Sequence, residues 1–160
     1  MAIYQGPPRP FRLISLVQPE PKHLLAALAV ADLTDQEKEW FRRAQRDDGC
    51  FYFVVQRQER LLGQVFLHDI DRKEQEALIG YHVFRSEDRR QGYGSDALRA
   101  ICDYAAGELH LRRLTVITSL DNLASRRIAV KAGFRELGTA REGPHLVVYE
   151  RLPRAEAEPA

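Results

Sequence analysis

The segment best suited to chemistry is a glycine-containing run with two arginines at its start, Arg89-Arg90-Gln91-Gly92-Tyr93-Gly94-Ser95. It joins a predicted strand to a predicted helix. Glycine lets the backbone approach a ligand closely because it has no Cβ. A helix N-terminus adds unpaired N–H groups and about half a positive charge. Together these features suit a phosphate or pyrophosphate, so the run predicts an anion-binding loop.

Two other interpretations of this loop stay open. Gly92-x-Gly94-x-x-Ala97 formally fits the dinucleotide-binding fingerprint, although that fingerprint normally follows its strand directly in an early βαβ unit. A glycine-rich turn without any ligand is the other interpretation. The two arginines beside the glycines favour an anionic ligand over an empty turn.

The loop and its preceding strand resemble the GCN5-related N-acetyltransferase (GNAT) family. That family carries an Arg/Gln-x-x-Gly-x-Gly/Ala loop, which Arg89, Gly92 and Gly94 fit. Ile79-Gly80-Tyr81-His82 fits the strand before it. The resemblance covers residues 11–152.

A second pair of motifs lies downstream and strengthens the resemblance. Asp121-Asn122-Leu123-Ala124-Ser125 fits the family's Asn-x-x-Ala/Ser element, and Lys131-Ala132-Gly133-Phe134 fits its terminal Gly-Phe. The version with Asn122 and Ser125 is most similar to the ribosomal-protein and polyamine N-acetyltransferases.

The resemblance implies acetyl-CoA as cosubstrate, bound between strands 77–84 and 111–119, which splay apart in that family. The pantetheine arm would pair with the backbone of Val83 and Phe84 and with Asn122. Arg126 or Lys131, with Arg127 as a further choice, would meet the 3′-phosphate region. Arg89 heads the loop motif, and the pyrophosphate would bind the following backbone N–H groups: Arg90, Gln91, Gly92, Tyr93, Gly94 and Ser95.

Acetyl transfer to an amine needs a neutral amine, a polarised thioester carbonyl and a proton for the leaving thiolate. A backbone N–H near Val83 or Phe84 is the expected donor to the carbonyl oxygen. Many family members protonate the thiolate with a tyrosine seven residues after the asparagine, where this chain has Ala129. The resemblance therefore implies Ser125 as general acid, and the alternative is a serine that only caps a helix.

Several residues are candidates for the general base. His82, which has a suitable pKa range, and Glu76, which lies on the same period-2 face at the strand start, are two of them. His68 and His145 are further candidates, and a relay of waters without a dedicated base is equally open. Tyr81 is assigned to the core.

Hydropathy periodicity places these residues on a mixed α/β fold. Predicted helices begin at Pro21 and Thr34 and span 95–109 and 123–132. The predicted strands are 12–17, 51–57, 61–69, 77–84, 111–119, 134–139 and 145–152. The order β-α-α-β-β-β-α-β-α-β-β implies one parallel, right-handed crossover in a GNAT-like, mostly antiparallel twisted sheet of about seven strands with helices on both faces.

Length and composition bound the remaining possibilities. The chain has 160 residues, which suits one domain, expected at 11–152 with an N-terminal arm at 1–10 and a frayed tail at 153–160. A net charge of +1 argues against a nucleic-acid-coating protein. The sequence shows no secretory signal and no transmembrane run. The two cysteines do not form a metal-binding set, and neither has the sequence surroundings of a catalytic nucleophile. So few cysteines favour the reducing cytoplasm.

The expected function is an acetyl-CoA-dependent N-acetyltransferase acting by direct attack in a ternary complex. Its acceptor would be a primary amine: a protein α-amine, a polyamine or another small amine. A non-catalytic acyl-CoA-binding sensor is the alternative. The acceptor is expected near the first two helices and the final hairpin. Four acidic residues of these helices favour a cation, and the alternative is that they form a solvated charged face: Asp32, Asp35, Glu37 and Glu39. A homodimer through the terminal strands is left open, and no metal is expected.

Overall fold

The computed structural model describes residues 9–11, 14–17, 35–36, 38–39, 49–58, 60–83 and 86–152. The described strands are β1 (Arg9–Phe11), β2 (Ile14–Val17), β3 (Phe51–Arg57), β4 (Arg60–Asp71), β5 (Glu76–Val83), β6 (Arg113–Ser119), β7 (Arg135–Ala140) and β8 (Gly143–Arg151). The described helices are α1 (Tyr93–Leu109), α2 (Leu123–Lys131) and a 3-10 turn at Ser86–Asp88.

The strands form one sheet in the spatial order β1-β2-β3-β4-β5-β6-β8-β7. β5 and β6 are parallel neighbours joined through α1, and the other neighbouring strands pair antiparallel. A mixed, mostly antiparallel sheet with a single parallel crossover is therefore confirmed for the described residues.

Among the described residues the sheet has eight strands rather than the predicted seven or so, because of β1. Arg9 pairs with Leu16 and Phe11 pairs with Ile14. Arg9 and Pro10, expected in the N-terminal arm at 1–10, therefore belong to a strand. Proline is compatible with a strand at the edge of a sheet, where its missing N–H removes no ladder bond.

The two helices predicted to begin at Pro21 and Thr34 lie almost wholly outside the described residues. The second one is described at 35–36 and 38–39, which are helical as predicted. Nothing in the described residues bears on the first one.

The core lies on both faces of the central strands. Phe53, Val65 and Leu67 pack on the face that α1 covers, and the apolar stripe predicted for that helix is buried there. Its buried members are Ala97, Leu98, Ile101, Cys102 and Ala105. On the other face Tyr52 and Phe66 are buried and stack with ring centroids 4.9 Å apart. In the part of the chain that the structure describes, no helix has the length and apolar character that crossing a membrane requires.

Candidate active site

The parallel pair β5 and β6 separates part of the way along its length. The two strands pair only at Glu76 with Arg113, Ala77 with Leu114 and Leu78 with Thr115. Beyond these pairs 79–83 has no register with β6, whereas 116–119 continues to pair with β8. We call the gap between 79–83 and 116–119 the splay. The predicted separation of these two strands is confirmed.

The N-terminus of α1 presents backbone donors without a side-chain cap. Gly92 precedes the helix in the left-handed conformation, with φ of 86°, and no side chain among the described residues caps this end. The N–H of Asp96 donates to the Gly92 carbonyl at 3.0 Å and is the first α-helical bond. The N–H groups of Tyr93, Gly94 and Ser95 precede that bond, and such first-turn donors lack helical partners. This geometry suits the predicted anion site.

Ion pairing fixes the loop before α1 to the sheet. Asp88 is 6% exposed, and its two carboxylate oxygens accept from Arg60 Nη2, each at 3.0 Å. The hydrogen bond and charge of Asp88 raise the pKa of Arg60. Because Arg60 opens β4, this contact anchors the residue directly before Arg89.

Side chains within the loop also hold its shape. The buried Tyr93 hydroxyl accepts from Arg57 Nη1 at 2.6 Å and donates to Gln91 Oε1 at 3.2 Å. Gln91 Nε2 in turn donates to the Glu87 carbonyl at 2.8 Å. The side chains of Tyr93 and Gln91 are therefore engaged in hydrogen bonds within the chain, and these residues would offer a ligand their backbone.

The two glycines of the loop are needed for different structural reasons. The left-handed φ of Gly92 is one that other residues rarely adopt. At Gly94 a Cβ would lie 2.7 Å from Cδ1 of Ile128, so this glycine lets α1 and α2 pack closely. The prediction explained both glycines by ligand approach, and for Gly94 that reason is incomplete. Arg89 and Arg90 are exposed beside the loop, and the Ser95 side chain is buried.

Asn122 is the cap of α2. Its Oδ1 accepts the backbone N–H of Ser125 at 3.0 Å. The capping oxygen thus belongs to Asn122, so the alternative in which the Ser125 hydroxyl caps this helix is wrong. Ser125 Oγ remains available for another contact.

That contact comes from Tyr81 on the splayed part of β5. The Tyr81 hydroxyl lies 2.8 Å from Ser125 Oγ and 2.9 Å from the Ser125 carbonyl oxygen. Burial raises the pKa of Tyr81 to about 12, and the hydrogen bond with Ser125 partly opposes this rise. Tyr81 packs against the core as predicted, but the contact of its hydroxyl with Ser125 is not predicted from the sequence. The one available signal was its polar hydroxyl, since a buried tyrosine usually finds a hydrogen-bond partner.

The predicted bases do not gather at this pair. Glu76 lies at the closed end of β5, 3.7 Å from Arg113, and about 17 Å of extended strand separates it from Tyr81. A role for Glu76 beside Ser125 therefore has no support. His82 follows Tyr81 in the strand, so its side chain points to the opposite face of the sheet. It lies opposite Gln64 of β4 in the register.

The other two histidines lie at different ends of the sheet. His68 pairs with Leu78 near the closed end of β5, and its Nδ1 is 2.7 Å from Asp69 Oδ2. His145 is exposed near the open end, where its carbonyl accepts the Leu120 N–H at 2.9 Å.

Gln64 is a second residue that the sequence analysis missed. It is 1% exposed, and among the described residues neither polar atom of its side-chain amide has a hydrogen-bond partner. A buried amide of this kind usually meets a water or a ligand. Its signal in the sequence is a polar residue within the apolar run 61–67.

Arg126 does not fit its predicted role toward the 3′-phosphate. Its guanidinium donates to Tyr149 Oη at 3.0 Å, to the Leu120 carbonyl at 3.1 Å and to Glu136 Oε1 at 2.9 Å. The bonds to Tyr149 and Glu136 raise its pKa. Arg126 therefore joins α2 to the last hairpin, whereas Lys131 is exposed at the end of α2.

The remaining predicted site residues are placed as follows. Val83 ends β5 inside the splay, and Phe84 lies outside the described residues. Ala129 is fully buried, so the family's tyrosine position faces the core in this chain. Burial raises the pKa of the Cys102 thiol to about 12, which keeps it protonated at neutral pH. Within the described ranges no group of three or more histidine, cysteine or acidic side chains could hold a metal ion.

The chain matches known acetyltransferases in sequence. Residues 20–135 match the family described as Acetyltransferase (GNAT) domain. YdaF of Bacillus subtilis (strain 168), provisionally named a ribosomal N-acetyltransferase, is 34% identical over 104 residues, 61% of this chain and 56% of YdaF. YjcK of the same organism, provisionally named an N-acetyltransferase, is 34% identical over 65% of this chain and 58% of YjcK. The match thus spans little more than half the length of these relatives.

Solved structures share the fold at lower identity. RimL, an α-N-protein acetyltransferase of a ribosomal protein in complex with coenzyme A, superposes with a TM-score of 0.76 at 18% identity, covering 94% of this chain and 100% of that one. Spermidine N-acetyltransferase from Vibrio cholerae, in complex with CoA and spermine, gives a TM-score of 0.70 at 19% identity, covering 89% and 96%. At these identities the likeness concerns the fold.

Proposed function

The chain belongs to the GNAT acetyltransferase family, and from this premise we propose that it transfers an acetyl group from acetyl-CoA to a primary amine. One observation carries the proposal. The splay between β5 and β6 has the uncapped N-terminus of α1 at one border and the Ser125 hydroxyl at the other, held 2.8 Å from Tyr81. These are an anion-binding end and a proton-bearing group, which the reaction requires.

The residues around the splay fit the parts of acetyl-CoA. The N–H groups at the start of α1, with Arg89 and Arg90 exposed beside them, suit the pyrophosphate. The backbone of Val83 suits the pantetheine amides, as in the addition of a strand to a sheet. Asn122 uses Oδ1 for its cap, and its Nδ2 group is the donor proposed for the arm. Lys131 is the cation proposed for the 3′-phosphate region, in place of Arg126.

The proposed chemistry divides between two groups of this chain. Acetyl-CoA supplies the acyl group as an activated thioester. The Val83 N–H would hold negative charge on the carbonyl oxygen, and Ser125 Oγ would give a proton to the sulfur that leaves. The protonated state of Cys102 favours direct attack by the amine over a cysteine intermediate.

The proposed acceptor is a protein α-amine or a polyamine. The names of YdaF and RimL and the substrate of the Vibrio cholerae enzyme support these two classes. His82, on the face of β5 opposite Tyr81, remains the candidate base for removing a proton from the ammonium form of the acceptor before it attacks. A cytoplasmic location and a homodimer through the terminal strands are parts of the same proposal.

A thiol-release assay tests the function directly. Acetyl-CoA would be offered with a peptide that has a free α-amine, with a linear polyamine and with an amino sugar, and CoA release would be followed for each. We expect turnover with one of the first two. Ser125→Ala should lower kcat by roughly 10²-fold or more, the contribution typical of proton transfer, and leave acetyl-CoA affinity nearly unchanged. Thr139→Ala, which removes an exposed hydroxyl on β7, is the matched control.

The possible outcomes separate the competing functions. Acetyl-CoA binding without thiol release from any amine would support the sensor alternative. Binding of NAD but not of acetyl-CoA would support the dinucleotide interpretation. An unchanged kcat in Ser125→Ala would remove the serine from the mechanism and leave the transferase itself standing.

A further inference from the structure

Tyr81 and Ser125 meet across the splay, although 44 residues separate them in sequence. We propose that Tyr81 is a positioning residue that fixes the Ser125 hydroxyl and sets the direction in which its proton points. This inference rests on the proposed function, because it concerns how Ser125 protonates the leaving thiolate.

Every polar atom of Ser125 has a partner from one of two side chains. The Ser125 N–H donates to Asn122 Oδ1 at 3.0 Å. The Ser125 carbonyl oxygen and Oγ lie 2.9 Å and 2.8 Å from the Tyr81 hydroxyl. The serine is thus held by its own helix on one side and by β5 on the other.

The single proton of the Tyr81 hydroxyl has two acceptors within reach. When it points to the Ser125 carbonyl, the Ser125 hydroxyl is free to donate back to the Tyr81 oxygen. When it points to Ser125 Oγ, the serine proton must turn elsewhere, toward the splay. The second arrangement presents the serine proton to a group bound in the splay, and the first withdraws it.

Tyr81 is suited to act as a hydrogen-bond donor that stays protonated. Its hydroxyl is partly buried, and burial raises its pKa to about 12, so the phenol is neutral throughout the working range of a protein. Its hydrogen-bond partners are the Ser125 hydroxyl and carbonyl of α2, and Tyr149 of β8 interacts with it electrostatically. It therefore serves as a hydrogen-bond donor rather than as the base.

In the proposed step Ser125 gives up one proton and recovers one. The amine nitrogen forms a bond to the acetyl carbon, and the bond from that carbon to sulfur breaks. Ser125 Oγ gives its proton to the sulfur, and the proton that the nitrogen loses returns to Oγ. Tyr81 keeps its own proton and holds the oxygen in place.

A double-mutant cycle tests this coupling. Tyr81→Phe keeps the ring and removes the hydroxyl, and we expect kcat to fall about three- to tenfold, the effect of losing one neutral hydrogen bond. The KM for acetyl-CoA should change less than twofold. In the Ser125→Ala background, Tyr81→Phe should have no further effect on kcat. Tyr104→Phe, a buried tyrosine that packs on Phe53, is the matched control.

The cycle separates three outcomes, with thermal unfolding of each variant as the folding check. A wild-type protein with no turnover on any amine overturns the proposed function and this inference together. Turnover in the wild type with equal effects of Tyr81→Phe in both backgrounds overturns the inference alone. A change confined to the KM for acetyl-CoA would also overturn it, since that pattern means that Tyr81 only sets the width of the splay.

Discussion

The two helices that begin beside the splay satisfy their N-termini in opposite ways. At α1 the residue before the helix is Gly92, and among the described residues no side chain caps that end. At α2 the Asn122 side chain accepts the Ser125 N–H at 3.0 Å. One helix start leaves backbone donors open, and the other is closed by its own sequence.

This difference predicts a different function for each helix start. Open N–H groups and the positive end of the helix dipole suit an anion brought from outside. A capped helix start has less to offer through its backbone, but it fixes the side chains that follow. Ser125 is the side chain so fixed, and Tyr81 completes its contacts. Backbone donors would thus bind the ligand, and a side chain would do the chemistry.

The contact between Gly94, at the start of α1, and Ile128, in the second half of α2, is the strongest place to break this arrangement. In Gly94→Ala a Cβ would meet Ile128 Cδ1 at 2.7 Å, and overpacking of this kind costs about 1–3 kcal/mol. Better helix propensity offsets up to about 1 kcal/mol of it. Chemical denaturation should therefore show a lower free energy of unfolding.

Two variants control this measurement. Gly107→Ala in α1 would meet no atom within 4 Å and should show the propensity gain alone. Adding Ile128→Val removes Cδ1 and should restore much of the stability lost in Gly94→Ala. Independent, additive effects of the Gly94 and Ile128 substitutions would show that this close approach does not set the helix packing.

The open helix start is tested by Gly92. Its φ of 86° is left-handed, and no atom would obstruct a Cβ within 4 Å. The cost of a substitution is therefore conformational, about 1–2 kcal/mol for alanine and less for asparagine, which tolerates this region. Acetyl-CoA affinity measured by calorimetry should fall in the order glycine, asparagine, alanine. Wild-type stability and affinity in the alanine variant would show that the left-handed turn at Gly92 is not needed at the open helix start.

The closed helix start is tested by Asn122, with the smallest expected effect. Asn122→Ala removes the cap and should cost about 1 kcal/mol of stability. Asn122→Asp keeps the capping oxygen and should stay close to wild type in thermal unfolding, but it loses the Nδ2 donor. Weaker acetyl-CoA binding in both variants would assign Nδ2 to the ligand. Normal binding in the aspartate variant would limit Asn122 to its cap.

The strand and helix pattern followed from local periodicity. The apolar stripe of α1 repeats at helical spacing, and its central residues Leu98 and Ile101 are fully buried, as that spacing predicts. β1 escaped prediction because Pro10 normally argues against a strand, and only its position at the sheet edge makes it acceptable. Periodicity reports which face of an element is apolar, and it does not report which neighbour an element will have.

The candidate site likewise has one part that follows from the local sequence and one part that depends on the tertiary structure. The sequence by itself determined the glycine loop that we propose as the anion site, because the requirement for glycine at Gly92 and the helix that follows are local properties. It also determined the helix start at Asn122. Tertiary structure alone decided that Tyr81 reaches Ser125, since the contact depends on two strands separating and on a helix packed beside them.

The tertiary structure also holds two predicted site residues in other contacts. Arg126 is a cation near a helix start in the sequence, and in the fold its guanidinium is bound by Tyr149 and Glu136 of the last hairpin. Glu76 shares a strand with Tyr81, and in the fold it lies at the closed end beside Arg113. A side chain's chemistry can be read from its type, but its freedom to act depends on partners that the folded chain brings from a distance.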